Sequence, residues 1–463
     1  MNITNVDSEL LGKTRQNMRF AYYTNMILII LYVILSIGCS DTVSDSLNYK
    51  KPDILFIYTD DQAIYSIEHI EDVMPSLFEA VINEAEEYTN YICSSPYCAP
   101  SRASLLSGKF PHNHKHYNNS KKYSDFYQIF KDKSLGILMQ QAGYHTIFAG
   151  KYFNPGFPND VSRTHIPEGW DEFLGMKGGK YLGTPWILKQ EGRIINRRSP
   201  DDEHRSFIEV KYLEEKIDDF KKLNIDKPLF VYYAPFEPHH PQRGESKNKW
   251  FPEEYNAKFK KLRLSDHNNT KLDHSQHRYR LRALNHLDDN LKRLFKKFKE
   301  YGIYEGSYIL FTSDNGFKLN HYGISDKRSS YEEDINLPFY IKHPNSKNKS
   351  HKNDKLIGTI DLLPTFLDLA HFEYSGCNGV SIFSSSDRKY ILSEMINEGQ
   401  FKDENWWALR GRDDKIVKYQ SGKIEHYNIK SIPEEQLELD YKSIKDKLLI
   451  LDSLITCESM CIY

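Results

Sequence analysis

Five short apolar runs separated by helical patterns constrain the fold of this 463-residue chain more than any other feature. They are Ile54-Leu55-Phe56-Ile57-Tyr58, Thr146-Ile147-Phe148-Ala149, Leu229-Phe230-Val231-Tyr232-Tyr233, Tyr308-Ile309-Leu310-Phe311 and Phe339-Tyr340-Ile341. Runs of this length, rich in β-branched and aromatic residues, read as strands buried on both faces. The clearest helix between them runs from about Tyr279 to Glu300, with Leu281, Leu284, Leu291, Leu294, Phe295 and Phe298 on one face and Gly302 just past its end. Strands alternating with helices predict an α/β fold, a sheet held between helical layers.

The residues just past each strand are chemically loaded. Asp60-Asp61 closes the first, Gly150-Lys151 the second, Pro238-His239 comes soon after the third, and Asp314-Asn315-Gly316 closes the fourth. Ligands of open α/β sheets bind at the carboxyl ends of strands, so these residues are brought to one edge. Three carboxylates and an amide oxygen are hard donors suited to calcium or magnesium. Without a cation their mutual repulsion is severe. The alternative for Asp60 or Asp61 is a helix cap.

The densest stretch is Cys98-Ala99-Pro100-Ser101-Arg102-Ala103-Ser104-Leu105-Leu106-Ser107-Gly108. Pro100 suits the first position of a helix, and Arg102 falls on its first turn. A helix N-terminus with a guanidinium is an anion site and favours a thiolate. Read this way, Cys98 is either a nucleophile of some phosphatase or protease type or a structural cysteine at a helix start.

This stretch matches the C-x-P-S-R-x-x-x-L-x-G signature of the type I sulfatases, formylglycine-dependent members of the alkaline phosphatase superfamily. Gly143 to Tyr152 resembles the family's second signature, Lys51 to Asp61 its opening strand with a metal pair, and Thr312 to Gly316 with Asp326-Lys327-Arg328 and Tyr331-Glu332 its late metal- and sulfate-binding segment. Gly358 to Leu369, with Asp361 and Pro364, is similar to a family helix, and the resemblance spans about residues 50 to 430. It implies an alkaline-phosphatase-like α/β/α sandwich with a large mixed sheet and a smaller C-terminal α+β subdomain. The expected divisions are 1–45, a signal and short linker; 46–385, the catalytic domain; and 386–463, the subdomain, after a change of texture at Phe383 to Asp387.

The resemblance further implies that Cys98 is oxidised to formylglycine (3-oxoalanine) by a formylglycine-generating or anaerobic sulfatase-maturating enzyme. Its hydrate would attack sulfur with one hydroxyl and expel sulfate with the other, which a plain serine or cysteine cannot do. Asp60, Asp61, Asp314 and Asn315 would bind one Ca²⁺. Arg102 would steady the hydrate, Lys151 and Lys327 would neutralise sulfate oxygens, and His239 would protonate the leaving oxygen. The implied substrate is a sulfated sugar. A Gly-Lys-Tyr-x-Asn pattern at Gly150 to Asn154 resembles the N-acetylglucosamine-6-sulfatase-like branch, while a sulfated algal polysaccharide is an equal fit to an envelope enzyme.

Three departures from the family pattern stand out. Phe153 occupies a position that is often His, with His112, His114 or His145 as candidate replacements. Asn320-His321-Tyr322-Gly323 displaces a usual His by one, and Lys109 stands where Arg is common. Competing readings are a phosphodiesterase or phosphonate hydrolase of the same superfamily, and a non-catalytic surface glycan-binding protein.

The N-terminus reads as an address. Lys13, Arg15 and Arg19 precede an apolar run from Met26 to Ile37, an export-signal pattern too short for a confident membrane span. Leu35 to Cys39 resembles a bacterial lipoprotein box, which would make Cys39 a lipid anchor, the one expected membrane contact. Export to a bacterial cell envelope, or secretion, is the implied destination. A net charge of −2 gives no basic field for nucleic acid. Cys457 and Cys461 are spaced to pair across a short turn. Stretches about 241–275 and 344–356 read as polar surface insertions, and about 155–200 and 239–275 as specificity loops.

Overall fold

The structure is a computed structural model that describes residues 50–67, 69–120, 122–154, 166–190, 193–200, 202–240, 259, 273–320, 323–346, 349–399, 403–429, 436–437 and 441–461. The export signal and Cys39 lie outside the described residues, as do His321, Tyr322 and most of 241–275.

The five apolar runs all form strands of one eleven-stranded mixed sheet. Its strands are β1 (Ile54–Thr59), β2 (Glu86–Ile92), β3 (His145–Gly150), β4 (Glu172–Met176), β5 (Pro185–Gln190), β6 (Arg193–Arg198), β7 (Leu229–Ala234), β8 (Tyr308–Ser313), β9 (Asn336–Leu337), β10 (Tyr340–Lys342) and β11 (His351–Gly358). Spatial order is β11-β2-β10-β8-β1-β7-β3-β4-β5-β6, with β9 beside β2. The centre, β8-β1-β7-β3-β4, is parallel throughout. Hence Asp60, Asp314, Lys151 and the residues after Ala234 emerge at the same edge.

Alternation along the central strands separates two cores. Phe56, Tyr58, Phe148, Phe230 and Leu310 pack against α1 (Cys98–Ser107), α2 (Leu135–Gln141) and, through Phe366, the later helix Leu362–Leu369. Leu55, Ile57, Ile147, Val231 and Ile309 pack on the other side against α3 (Arg205–Lys222) and α4 (His274–Glu300). Strands buried on both faces and helices on both sides are what an α/β/α sandwich requires. No helix among the described residues is long and apolar enough to cross a membrane.

Several boundaries differ from the sequence reading. Helix α4 starts at His274, five residues before Tyr279, because Asp273 caps it by accepting the Gln276 amide at 3.0 Å. Part of the expected insertion 344–356 is edge strand β11, paired in parallel with β2. The expected specificity region 155–200 contains an antiparallel hairpin, β5–β6. Pro100 stands third in α1 rather than first, still within the turn whose amides lack intrahelical partners.

A second, antiparallel sheet comes after the first: β12 (Ile391–Met395), β13 (Trp406–Arg410), β14 (Asp414–Tyr419), β15 (Ile424–Asn428) and β16 (Gln436–Leu437). Helix α5 (Leu362–Leu369) precedes it and α6 (Tyr441–Ile455) succeeds it. Cys457 and Cys461 are joined by a disulfide just beyond α6. The carbonyl of Cys457 accepts bonds from Asn113 at 2.7 Å and His112 at 3.0 Å, tying this end to the segment after α1.

Gly150 ends β3 with φ of 119° and passes so close to β7 that a Cβ there would lie 2.0 Å from the Ala234 carbonyl oxygen. Both facts demand glycine. Gly150→Ala is therefore expected to destabilise the protein by on the order of 2–3 kcal/mol, visible as a lowered urea midpoint with an unchanged slope.

Candidate active site

Main-chain hydrogen bonds continue past the strand ends and fix the residues beyond them. The Asp60 amide donates to the Glu237 carbonyl at 3.1 Å, Asp314 to Thr59 at 3.1 Å and Lys151 to Ala234 at 2.8 Å. Asp61 adopts a left-handed backbone at φ 65°, uncommon for a residue with a Cβ and a local strain of the kind that gathers at functional sites. Arg280 of α4 donates to the Asp61 carbonyl and holds that turn.

Helix α1 enters the same edge. Asn119 Oδ1 caps its start by accepting the Ala99 amide at 2.9 Å, and Gly108 in the left-handed region ends it. Every residue of the helix is buried, and its serines near the site are engaged. Ser101 Oγ donates to the Asp314 carbonyl at 2.5 Å, and Ser104 Oγ is 3.1 Å from His114 Nε2. Cys98 and Arg102, one turn apart, share a face.

Seven of the nine expected site residues form one contact set around Cys98. Its Sγ lies 3.4 Å from Asp60 Oδ1, 3.7 Å from Asp61 Oδ1 and 2.8 Å from Lys327 Nζ. Lys327 also donates to Asp61, and Lys151 Nζ meets Asp60 Oδ2 at 2.5 Å. His239 Nε2 is 3.5 Å from Asp61 Oδ2. Asn315 Nδ2 donates to Asp61 Oδ1 at 2.7 Å. The other two residues stand beside this set: Arg102 Nε donates to Asp314 Oδ2 at 2.9 Å, and the Asp61 amide donates to Asp314 Oδ1 at 3.1 Å.

Charge sets the character of the place. Burial alone would raise the Asp60 carboxyl, yet Lys151, His239, Arg102 and Lys327 hold it well below the usual carboxylate range. Burial opposes ionisation of Asp61 too, and Lys327 with His239 brings it down. Asp314 goes the other way: burial and the neighbouring Asp60 push it up to about 6. Burial also pushes the Cys98 thiol up, against the pull of Lys151 and Lys327. As a thiol it is therefore a poor nucleophile. Burial lowers His239 to about 4, so its ring is neutral near pH 7. Its Nδ1 lies 2.5 Å from the His240 carbonyl, which can only accept, so the neutral ring carries its proton on Nδ1.

The donors fit a hard divalent cation. Asp60, Asp61, Asp314 and Asn315 are at most 1% exposed, and Asn315 Oδ1 is buried with no hydrogen-bond partner among the described residues. Asp60, Asp61, Cys98 and His239 present ligand atoms that all lie within 4.8 Å of one another. Three clustered carboxylates and an orphaned amide oxygen are what a cation would satisfy.

The candidate replacements for a histidine at Phe153 are committed elsewhere. His112 is held by Glu394 at 2.9 Å, His114 by Ser104, and His145 begins β3 beside Asp171, at the strand end away from the site. The Phe153 ring packs on His116, with centroids 4.8 Å apart, a neighbour that carried no sequence signal. Glu332 pairs with Arg410 at 2.8 Å and Lys415 at 3.2 Å, outside the Cys98 contact set. A cleft of about 560 Å³ opens beside Lys327, lined by Arg328, Asp403, Glu404, Trp406 and Tyr419. Its far wall comes from the second sheet and its flanking loops.

Comparison with known proteins places these features in context. A sulfatase family profile matches residues 52–372. The chain is 28% identical over 404 residues to human N-acetylglucosamine-6-sulfatase, covering 80% of this chain and 71% of the human one. It is 25% identical over 397 residues to an extracellular sulfatase SULF-1 homolog of Drosophila melanogaster, covering 78% of this chain and 33% of that one. It spans 51% of the length of a Caenorhabditis elegans relative. In fold, it superposes with a TM-score of 0.67 and 21% identity on a protein solved with its substrate D-glucosamine-2-N,6-O-disulfate, covering 88% of this chain and 97% of that one.

Buried as it is, Cys98 should resist modification as a thiol. In folded, unconverted protein at pH 8, iodoacetamide is expected to alkylate Cys98 at least ~10-fold more slowly than in urea, as read by mass spectrometry of its peptide. Equal rates in the two conditions would mean an open, activated thiol.

Proposed function

This chain belongs to the sulfatase family, and from that premise we propose that it hydrolyses sulfate esters of a sulfated carbohydrate, using formylglycine at position 98 and one calcium ion. The observation that carries the reading is the convergence of Lys151, Lys327, Arg102 and His239 with three carboxylates around Cys98. Asp60, Asp61, Asp314 and Asn315 would hold the cation. The bound cation would supply Lewis acidity toward the sulfate oxygens, and a hydrated aldehyde at position 98 would offer one hydroxyl for attack and a second that lets sulfate leave.

The chain's own side chains do the remainder. Three carboxylates face three cationic groups, Arg102, Lys151 and Lys327, so a divalent ion leaves a surplus of two positive charges. That surplus suits a sulfate ester gaining a second negative charge as its oxygen departs. Lys151 and Lys327 supply N–H donors where charge grows, and Arg102 aligns Asp314 beside residue 98. Asp314, with its raised pKa, can receive the nucleophile's proton. His239 must carry a second proton, on Nε2, to serve as acid, and an anionic substrate beside it favours that form.

For substrate, a 6-sulfated glucosamine of a glycosaminoglycan or similar glycan is the best-supported choice. Relatives carry N-acetylglucosamine-6-sulfatase in their names, and a protein of the same fold binds a glucosamine disulfate. The cleft beside Lys327 is lined by Arg328, which is paired with Asp326 at 2.5 Å, and by Asp403 and Glu404, polar groups suited to sugar hydroxyls. Export fits this chemistry, with the N-terminal signal and Cys39 as its address. Residues 46–385 and 386–463 are proposed as catalytic domain and subdomain.

The chain co-expressed with a formylglycine-generating enzyme should show Cys98 converted by mass spectrometry and release sulfate from 6-sulfated glucosamine. Activity should vanish on chelation, return with calcium, and be absent from Cys98→Ala. Conversion without release from any sulfated sugar would overturn the reading. Among variants, Lys327→Ala should lower kcat/KM by ~10²–10³ and His239→Ala by ~10²–10⁴. Because the acid must be protonated, kcat/KM should fall as pH rises through the His239 transition, and His239→Ala should remove that limb.

A further inference from the structure

Behind the candidate active site lies a second polar cluster built from three separate elements. His204 caps the start of α3, accepting the Ser206 amide. His286 comes from the middle of α4, and Glu237 from the segment after β7. The three residues present ligand atoms that all lie within 4.8 Å of one another. His204 Nδ1 is 3.6 Å from Glu237 Oε1, and the two imidazole centroids are 4.0 Å apart. Ser206 Oγ lies 2.9 Å from His204 Nδ1 and 3.2 Å from His286 Nδ1.

Glu237 is the independent sign of a missing partner. Its side chain is fully buried, yet neither carboxylate oxygen makes a hydrogen bond of good geometry among the described residues, its neighbours being the Ser206 hydroxyl and His204 Nδ1 at 3.6 Å. Leaving buried polar atoms unmatched is unfavourable, and for a carboxylate more so. The guanidinium nearby is engaged through two of its nitrogens, Arg205 Nε donating to Glu209 Oε1 at 3.1 Å and Nη1 to the Gly178 and Lys180 carbonyls, while its Nη2 is buried without a hydrogen-bond partner among the described residues. One arginine thus faces two buried carboxylates, and burial pushes Glu209 up to about 8 and Glu237 up to about 7. Burial also drives His204 well down and His286 to about 4, which keeps both imidazoles in the neutral form that binds metals.

We propose that His204, Glu237 and His286 form a second metal site, selective for a zinc-class divalent ion and distinct from the calcium site. Two imidazole nitrogens and one carboxylate are the donors zinc takes, with a fourth position left for water or the Ser206 hydroxyl. The site would be a positioning device. Its carboxylate belongs to the residue whose carbonyl holds the Asp60 amide and which lies two residues before His239. A bound ion therefore locks α3, α4 and the post-β7 segment behind the catalytic edge.

The test uses Cys98→Ala protein, so that no thiol at the calcium site attracts zinc, kept saturated with calcium. Zinc titration followed by metal analysis after gel filtration is expected to give one tightly held zinc per chain. Cobalt in its place should show visible d–d bands, and X-ray absorption of the zinc form should show nitrogen and oxygen ligands without sulfur. Adding Glu237→Gln, which keeps shape, or His286→Ala should weaken zinc by more than the ~10–100-fold typical of an outer-sphere partner, with calcium affinity retained. Absence of a tight zinc in the Cys98→Ala protein overturns the proposal, as does equal zinc binding by Glu237→Gln. If His286→Ala fails to fold, the isosteric glutamine variant and the absorption spectrum decide.

Discussion

Three carboxylates held together inside a protein repel one another, and much of this structure exists to make that tolerable. Asp60, Asp61 and Asp314 emerge from adjacent parallel strands, so the sheet itself forces them together. Lys151, Lys327 and Arg102 are each committed to one of them. Removing one member would leave a buried charge uncompensated, which is far costlier than the pair is worth when intact. The cluster is thus a closed electrostatic unit in which Cys98, the three carboxylates and the three cationic side chains are fixed by the same contacts.

That unit reaches into the second sheet. The loop carrying Lys327 is bracketed by buried ion pairs: Lys318 with Asp334 before and after it, and Glu332 with Arg410 of β13 and Lys415 of β14. Lys415 also donates to the Ser330 carbonyl at 2.5 Å, and Trp406 Nε1 to the Arg328 carbonyl at 3.0 Å. Asp361 ahead of α5 is likewise held by both guanidinium nitrogens of Arg388, at 2.7 and 2.8 Å. The C-terminal sheet therefore places a residue of the candidate active site as well as lining the cleft beside it.

The central strands were legible because they are buried on both faces, which leaves an uninterrupted apolar run with the functional residue right after it. β2 escaped the same reading because Glu86, Glu87 and Thr89 are only partly buried, and its sequence alternates instead of running apolar. β11 escaped because His351 to Lys355 lie at an edge where polar side chains are permitted. Within the site, the Cys98 stretch and the strand-end carboxylates carry local signatures. Arg280 carries none, being one of many charged residues on α4, and His204, Glu237 and His286 are scattered over three elements with no spacing to betray them. The helix boundary at His274 was missed because its first turn is polar and the Asp273 cap precedes any apolar repeat.

The depth of Cys98 has a consequence in time. The residue is 1% exposed, the first of a buried helix whose following segment is bonded to the disulfide loop after α6, and gripped by a lysine that the second sheet holds in place. An enzyme that oxidises this side chain needs the peptide around it extended and reachable. If Cys98 is converted as proposed, conversion would have to happen while the strands from Ile391 onward are still unmade or unattached, so that maturation would compete with folding. A chain that folds too quickly would be trapped with its thiol intact, and the yield of competent protein would be set by the race between a catalyst and a closing sheet.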